Sequence, residues 1–135
     1  MKAIQLTKDF SLQEFACKDK NNTPVPSELI PNVTRLAIEL QKLRDIIGCP
    51  IHVNSGYRTP KYNKTLEGSA AHSQHLQALA ADCTTINFTP NQFADLVEKL
   101  ISEGKVDFKG MGRYNGFTHL DCRQKKARWD MRKFI

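Results

Sequence analysis

The sequence has no long apolar run. Its first ten residues, MKAIQLTKDF, contain lysine but no continuous apolar segment. No later stretch approaches the roughly 18 consecutive apolar residues of a membrane span. These absences argue against both a membrane anchor and an export signal, so we predict a soluble protein that is cytoplasmic when synthesised.

Closely spaced cysteines are also lacking. The four cysteines form no CxxC pair, which argues against a cysteine zinc finger. Without an export signal, free thiols are the expected state. The cysteines are Cys17, Cys49, Cys83 and Cys122.

Repeats, low-complexity segments and flexible linkers are absent as well. A chain of 135 residues is the right size for one domain with one buried core. A composition of 40% hydrophobic and 25% charged residues is typical of folded soluble proteins. The sequence therefore predicts a single domain over residues 1–135.

Acidic residues are outnumbered by basic ones. The formal net charge is +6 and the pI is about 9.3. This balance favours an anionic partner, which could be nucleic acid, a membrane surface or the acidic polymers of a bacterial cell wall. The densest basic run, RQKKARWDMRK, is either a solvated tail or a binding patch.

Two long helices are predicted from apolar residues that recur at intervals of three and four. The first spans Pro31 to Ile47, with Gly48 at the position of a C-cap. The second runs from about Pro90 to Ser102, and Thr89 with Gln92 forms a capping box at its start. A shorter helix is predicted in SLQEFA, which also opens with a capping-box pattern.

Strands are predicted between and after the helices. PIHVNSGYR and ALAADCTT each read as a strand, and KGMGRYNGFTHLDCR reads as a hairpin. The pair Asn115-Gly116 is the one preferred by a two-residue type I′ turn. We therefore predict an α+β domain in which a small antiparallel sheet with a C-terminal hairpin packs against helices.

A two-residue turn fixes which residues face each other in the hairpin. Gly112 then lies opposite His119, and Gly110 lies opposite Asp121. Because side chains alternate along a strand, His119 and Asp121 share one face. We expect the two glycines to leave an open space there for an ion and a substrate.

Three side chains are candidate metal ligands. His75, Asp82 and His119 offer two nitrogens and one oxygen, the ligand types of a catalytic zinc site that leaves one position for water. By spacing alone, a structurally satisfied histidine and a surface carboxylate are the favoured interpretation of His75 and Asp82. The hairpin geometry brings the two interpretations nearer to balance.

Three motifs occur in order: SGYRTPKYN, SQHLQALAAD and FTHLDCR. Together they resemble the zinc D-alanyl-D-alanine carboxypeptidase family of bacterial and phage murein peptidases, whose fold is shared with the zinc domain of hedgehog proteins. The resemblance runs from FSLQEFACKD to ARW near the end of the chain. It implies one zinc ion per chain, bound by His75, Asp82 and His119.

The resemblance also implies residues that bind substrate. Arg58 stands where that family binds the substrate carboxylate, a task that suits the planar guanidinium. The alternative is a structural arginine that pairs with an acidic neighbour. Ser73 is a candidate hydrogen-bonding partner of the substrate, or simply a turn residue.

The general base departs from the family pattern. Relatives carry a histidine two residues before the last ligand or an acidic residue three before it, and these positions are Phe117 and Gly116 here. Asp121, two residues after His119, is the candidate substitute. Its alternative role is to orient a metal ligand through a hydrogen bond.

The resemblance implies a zinc-dependent peptidoglycan peptidase, either a D-Ala-D-Ala carboxypeptidase or a murein endopeptidase. In such an enzyme, zinc would activate a bound water molecule to attack an amide of the stem peptide. The expected setting is a phage or prophage lysis enzyme that reaches the wall after release. We expect a monomer without nucleic-acid or membrane partners.

Two alternatives remain. One is a metal-binding but inactive wall-binding or virion protein, and the other is a small basic nucleic-acid-binding protein.

Overall fold

A five-stranded sheet and three α-helices make up the fold of the computed structural model, which describes residues 4–66 and 69–133. Three short 3-10 turns lie among them, at Leu12–Phe15, Ser27–Leu29 and Gln74–Gln77. The helices are α1 (Ile30–Ile47), α2 (Pro60–Thr65) and α3 (Pro90–Ser102). The strands are β1 (His52–Ser55), β2 (Ala80–Thr84), β3 (Gly110–Arg113), β4 (Thr118–Asp121) and β5 (Ala127–Asp130).

The sheet has the strand order β1-β2-β4-β3-β5. Its first four strands pair antiparallel, while β5 runs parallel to β3. The α+β prediction is therefore confirmed. The fifth strand was not predicted, because it falls in the basic run whose charges suggested a solvated tail or a binding patch.

The helix boundaries follow the predicted caps. Helix α1 ends at Ile47, and its C-cap Gly48 has a φ of 71°, a left-handed value that glycine adopts without strain. At the start of α3, Thr89 accepts a hydrogen bond from the backbone of Gln92, and the Gln92 side chain accepts one from the backbone of Thr89. The short SLQEFA helix forms as a 3-10 turn with its capping box in place. Helix α2, which was not predicted, begins with Thr59 and Pro60 as N-cap and first residue.

The two faces of the sheet have different chemistry. Ala81 and Cys83 on β2, and Leu120 on β4, belong to the hydrophobic core. The alternate residues Asp82 and His119 are instead drawn into a polar cluster on the opposite face. Side-chain alternation thus separates the core from the site.

All four cysteines are buried and unpaired. Cys83 and Cys122 lie in the core cluster, as the strand alternation predicts. Burial raises the pKa of the Cys83 thiol far above its usual value and that of Cys122 to about 12. Both therefore stay neutral and unreactive at physiological pH.

No helix within the described ranges is both long and apolar enough to span a bilayer. This agrees with the absence of a long apolar run in the sequence.

The hairpin has the predicted register but a different turn. Gly112 pairs with His119, and Gly110 pairs with Asp121. Neither Asn115 nor Gly116 has a positive φ, so the turn is not of type I′. One backbone bond, from Tyr114 N to Phe117 O (3.2 Å), closes it.

The open space expected beside the two glycines is not there. A Cβ atom at Gly110 would overlap the Asp121 carboxylate, and one at Gly112 would overlap the Trp129 indole. The glycines therefore make room for these two side chains. The expectation failed because it considered only β3 and β4, whereas Trp129 arrives from β5.

Replacing Gly112 with alanine should destabilise the protein. The added methyl group overlaps the indole of Trp129, and overpacking of this kind costs about 1 to 3 kcal/mol. Gly116→Ala is the matched control, since nothing lies within 4 Å of its added Cβ, and its effect should stay within about 0.5 kcal/mol. Urea unfolding of both variants measures the difference, and equal stabilities would contradict this packing.

Candidate metal centre

Three separate elements bring the candidate ligands together. His75 lies in the 3-10 turn Gln74–Gln77. The backbone N–H of His75 donates a hydrogen bond to the Ser73 hydroxyl (3.2 Å). Asp82 lies within β2, directly opposite His119 on β4. The antiparallel register therefore sets two ligands side by side, and the turn before β2 adds the third.

The ligand atoms converge closely. One candidate atom from each residue lies within 4.8 Å of the others. Asp82 Oδ1 is 3.2 Å from His75 Nε2 and 3.0 Å from His119 Nδ1. All three residues are buried. The spacing and burial suit one small cation held by two imidazoles and a carboxylate.

The outer nitrogen of each imidazole already has a partner. His75 Nδ1 lies 2.7 Å from the carbonyl oxygen of Gly56, and His119 Nε2 lies 2.7 Å from Asp121 Oδ2. Both partners accept hydrogen bonds, so each outer nitrogen donates. In the neutral tautomers the inner nitrogens then present lone pairs to Asp82 Oδ1, which has lone pairs of its own. A cation is the group that satisfies all three, so the donor set fits zinc.

Electrostatics of the cluster agree with this fit. Burial opposes ionisation of Asp82, but its close contacts with His119 and His75 outweigh the effect of burial and hold the pKa of the carboxyl far below its usual range. Burial lowers the pKa of His75, which keeps that ring neutral. Burial also acts to lower the pKa of His119, yet the neighbouring carboxylates of Asp121 and Asp82 raise it overall. The cluster thus attracts positive charge between His119 and Asp82.

Arg58 contacts the second oxygen of the same carboxylate. Its Nη2 donates to Asp82 Oδ2 at 3.0 Å, Nε donates to Ser55 Oγ at 3.2 Å, and Nη1 donates to Asn63 Oδ1 at 3.3 Å. The guanidinium also lines a cavity of about 420 Å³ that contains all three candidate ligands. Both roles expected for Arg58, pairing with an acidic neighbour and facing a substrate, are compatible with this position.

Asp121 lies behind His119. It is 0% exposed and is not among the residues that line the cavity. Arg123 binds its two oxygens through Nε (2.9 Å) and Nη2 (2.7 Å). Burial acts to raise the pKa of Asp121, but the hydrogen bonds from His119 and Arg123 lower it well below its usual range. Asp121 therefore touches the outer side of a candidate ligand and not the cavity.

Sequence reasoning missed the aromatic wall of the cavity. The Trp129 ring lies 4.9 Å from the His119 ring between centroids, and its Nε1 donates to the Tyr114 hydroxyl at 2.8 Å. The Arg123 guanidinium lies over the same indole, 5.1 Å from the ring centroid. The single tryptophan in the chain was a signal, but its strand could not be placed beside β3 from the sequence.

Ser73 is both a cap and a cavity residue. It is the N-cap of the turn that carries His75, and it lines the same cavity as the candidate ligands. This position is compatible with both roles expected for Ser73.

The sequence profile of the Peptidase M15 family matches residues 8–121. This range covers most of the chain and includes all three candidate ligands, so the protein belongs to the Peptidase M15 family. Members of this family are zinc metallopeptidases, which confirms the resemblance seen in the sequence motifs. A comparison with curated proteins gives no match.

The centre should bind about one zinc ion per chain. His75→Ala, Asp82→Ala and His119→Ala should each lower the zinc content strongly, because each removes one of only three protein ligands in the cluster. In wild type, added zinc should raise the Tm, since a ligand that binds the folded state stabilises it. Elemental analysis and thermal unfolding measure the two effects.

His52→Ala is the matched control for these variants. His52 is an exposed histidine of β1 outside the cluster, so its removal should leave zinc content and the zinc-dependent rise in Tm unchanged. Full zinc content in all three cluster variants would refute the ligand assignment.

Proposed function

We propose that the protein is a zinc-dependent peptidase that hydrolyses an amide bond in the stem peptide of peptidoglycan. The main observation in its favour is the buried His75, Asp82 and His119 cluster, which lies in one cavity with the guanidinium of Arg58. Membership of the Peptidase M15 family supports peptide-bond hydrolysis. The peptidoglycan substrate and a role in phage or prophage lysis come from the resemblance of the sequence motifs.

The residues of this chain define what the centre can do. When bound, zinc supplies a Lewis acid that polarises a carbonyl group and makes hydroxide available near neutral pH. The ion would be held by His75, Asp82 and His119. These ligands contribute one negative charge, so the site with the divalent cation bound keeps a net positive charge. Tyr114 and Trp129 form an aromatic wall on one side of the cavity.

Arg58 is suited to position a substrate carboxylate. Its side chain is mostly buried and is held by three hydrogen bonds, so little conformational entropy is lost on binding. It lies beside the ligand Asp82, so an anchored carboxylate would place the neighbouring amide near the metal. The contact with Asp82 also lets Arg58 support the ligand.

For Asp121, the geometry favours the orienting role over the general base. A general base must come within hydrogen-bonding reach of the proton that it abstracts. Asp121 instead accepts a hydrogen bond from the outer nitrogen of His119 and is fully buried against Arg123. A carboxylate in this position fixes the tautomer and the orientation of a metal-binding histidine.

An inactive wall-binding protein with the same metal centre is the second candidate. One observation favours it: among the described residues, Asp82 is the only carboxylate that lines the cavity, and it is assigned to the metal. A nucleic-acid-binding function would account for the basic charge but not for the buried cluster.

Digestion of purified peptidoglycan separates these functions. Zinc-loaded protein should release fragments whose masses identify the bond that is cut, and the His119→Ala variant should release none. Absence of new fragments with zinc bound would overturn the peptidase proposal and leave the wall-binding candidate, which pull-down with insoluble peptidoglycan tests.

Arg58→Ala should lower kcat/KM for a peptide with a free carboxylate by roughly tenfold to a hundredfold. The loss arises because the guanidinium no longer pairs with that group. The same peptide with an amidated C-terminus is the control, and the variant should treat it nearly as wild type does. Steady-state kinetics with both peptides, together with zinc analysis, measure the effect. An equal loss on both peptides with reduced zinc would instead show that Arg58 acts through Asp82.

Asp121→Asn should lower zinc affinity by about 10-fold to 100-fold if the carboxylate orients His119. Activity should then return in excess zinc. The amide has nearly the same shape, so the fold should persist. Peptidoglycan hydrolysis across a zinc titration gives the answer, and a variant that stays inactive with full zinc occupancy would restore Asp121 to the role of general base.

A further inference from the structure

A second cavity adjoins the one lined by His75, Asp82 and His119, which we call the metal cavity. It has a volume of about 510 Å³ and lies between α1, the turn that carries His75 and the segment that follows β4. Gln74 and Arg123 line both cavities, so these two side chains form the boundary between them. Asn32 fixes α1 against the turn by donating from Nδ2 to the carbonyl oxygen of Gln77 (2.9 Å). Because they share these side chains, the two cavities lie next to each other.

The second cavity is basic. Arg35, Arg123 and Lys125 line it, and no acidic side chain is among its described lining residues. Arg123 is already bound to Asp121 through two hydrogen bonds. Arg35 and Lys125 form no ion pair and no side-chain hydrogen bond with any other residue in the described ranges. We call this site the basic cavity.

The Arg123 charge is compensated by Asp121, so the exposed Arg35 and Lys125 are the two uncompensated cations of this concave site. Their charges repel one another, and an anionic ligand would relieve that repulsion. Both cavities fall within the size range of binding pockets for small ligands, about 300 to 1,000 Å³. We assign the metal cavity to the amide that is hydrolysed. A carboxylate of the same peptide is therefore the anion that binding would bring closest to the basic cavity.

We propose that the basic cavity binds a carboxylate of the peptide substrate through Arg35 and Lys125, so that the enzyme selects acidic peptides that extend beyond the metal cavity. This inference rests on the proposed function and narrows its substrate class. Arg58 lies beside Asp82, whereas the basic cavity lies beyond Arg123, which is bound to Asp121 behind His119. The two anion sites are thus associated with different ligands of the centre.

Peptides built around the bond identified by peptidoglycan digestion test the proposal. Each peptide is blocked at both ends and carries one Glu at a chosen position, and its partner carries Gln there. The zinc-loaded wild type should prefer one Glu peptide over its Gln partner. Arg35→Gln combined with Lys125→Gln should reduce that preference by about threefold to tenfold, because exposed ion pairs are individually weak. Zinc content and kcat/KM for the Gln peptide should not change.

Lys20→Gln combined with Lys99→Gln is the matched control. Both lysines are exposed and lie outside the basic cavity. Their replacement removes two positive charges, the same number as in the cavity variant. This control should keep the preference for the Glu peptide, which high salt should weaken in the wild type. The proposal is overturned if the cavity variant keeps the full preference or loses activity equally on both peptides. It is also overturned if the control variant loses the preference to the same extent as the cavity variant.

A binding measurement separates this proposal from the proposed function. If the zinc-loaded protein cuts no peptide, the proposed function fails, and the uncut, fluorescently labelled peptides can be titrated by anisotropy. Tighter binding of a Glu peptide that disappears in the Arg35 and Lys125 double variant would support the basic cavity as a carboxylate site. Equal binding of the Glu and Gln peptides by wild type would overturn it.

Discussion

The Asp82 carboxylate holds the site together, because its two oxygens make different contacts. Oδ1 faces the inner nitrogens of His75 and His119, and Oδ2 accepts a hydrogen bond from Arg58. A buried carboxylate with these neighbours stays ionised, since its partners compensate the cost of burial. A cation at Oδ1 and the guanidinium at Oδ2 therefore depend on the same negative charge.

A chain of contacts extends from this carboxylate to the C-terminal strand. His119 donates to Asp121, Asp121 accepts from Arg123, and Arg123 stacks on Trp129 of β5. Gly112 permits the indole to lie against this chain. The orientation of a candidate ligand is thus supported by a strand that lies beyond the matched family range of residues 8–121. A change in β5 that moves Trp129 should therefore alter the orientation of His119.

Local signals in the sequence were sufficient for several elements. The apolar spacing and caps of α1 and α3 were predicted closely, because those signals lie within the helices themselves. The register of Gly112 with His119 was also predicted, since it follows from the length of the loop. The type of turn was not, because the preference of Asn115-Gly116 for type I′ is overridden in this fold.

The sequence by itself determined the side-chain alternation within each strand, and with it that Asp82 and Cys83 lie on opposite faces of β2 and that His119 and Asp121 share one face of β4. Only the tertiary structure decided what fills that face. Long-range pairing of β5 with β3 brings Trp129 into the space beside Gly112, and Asp121 is buried behind His119. The physical reason is that alternation is a property of one strand, whereas the occupation of a space depends on every element packed around it.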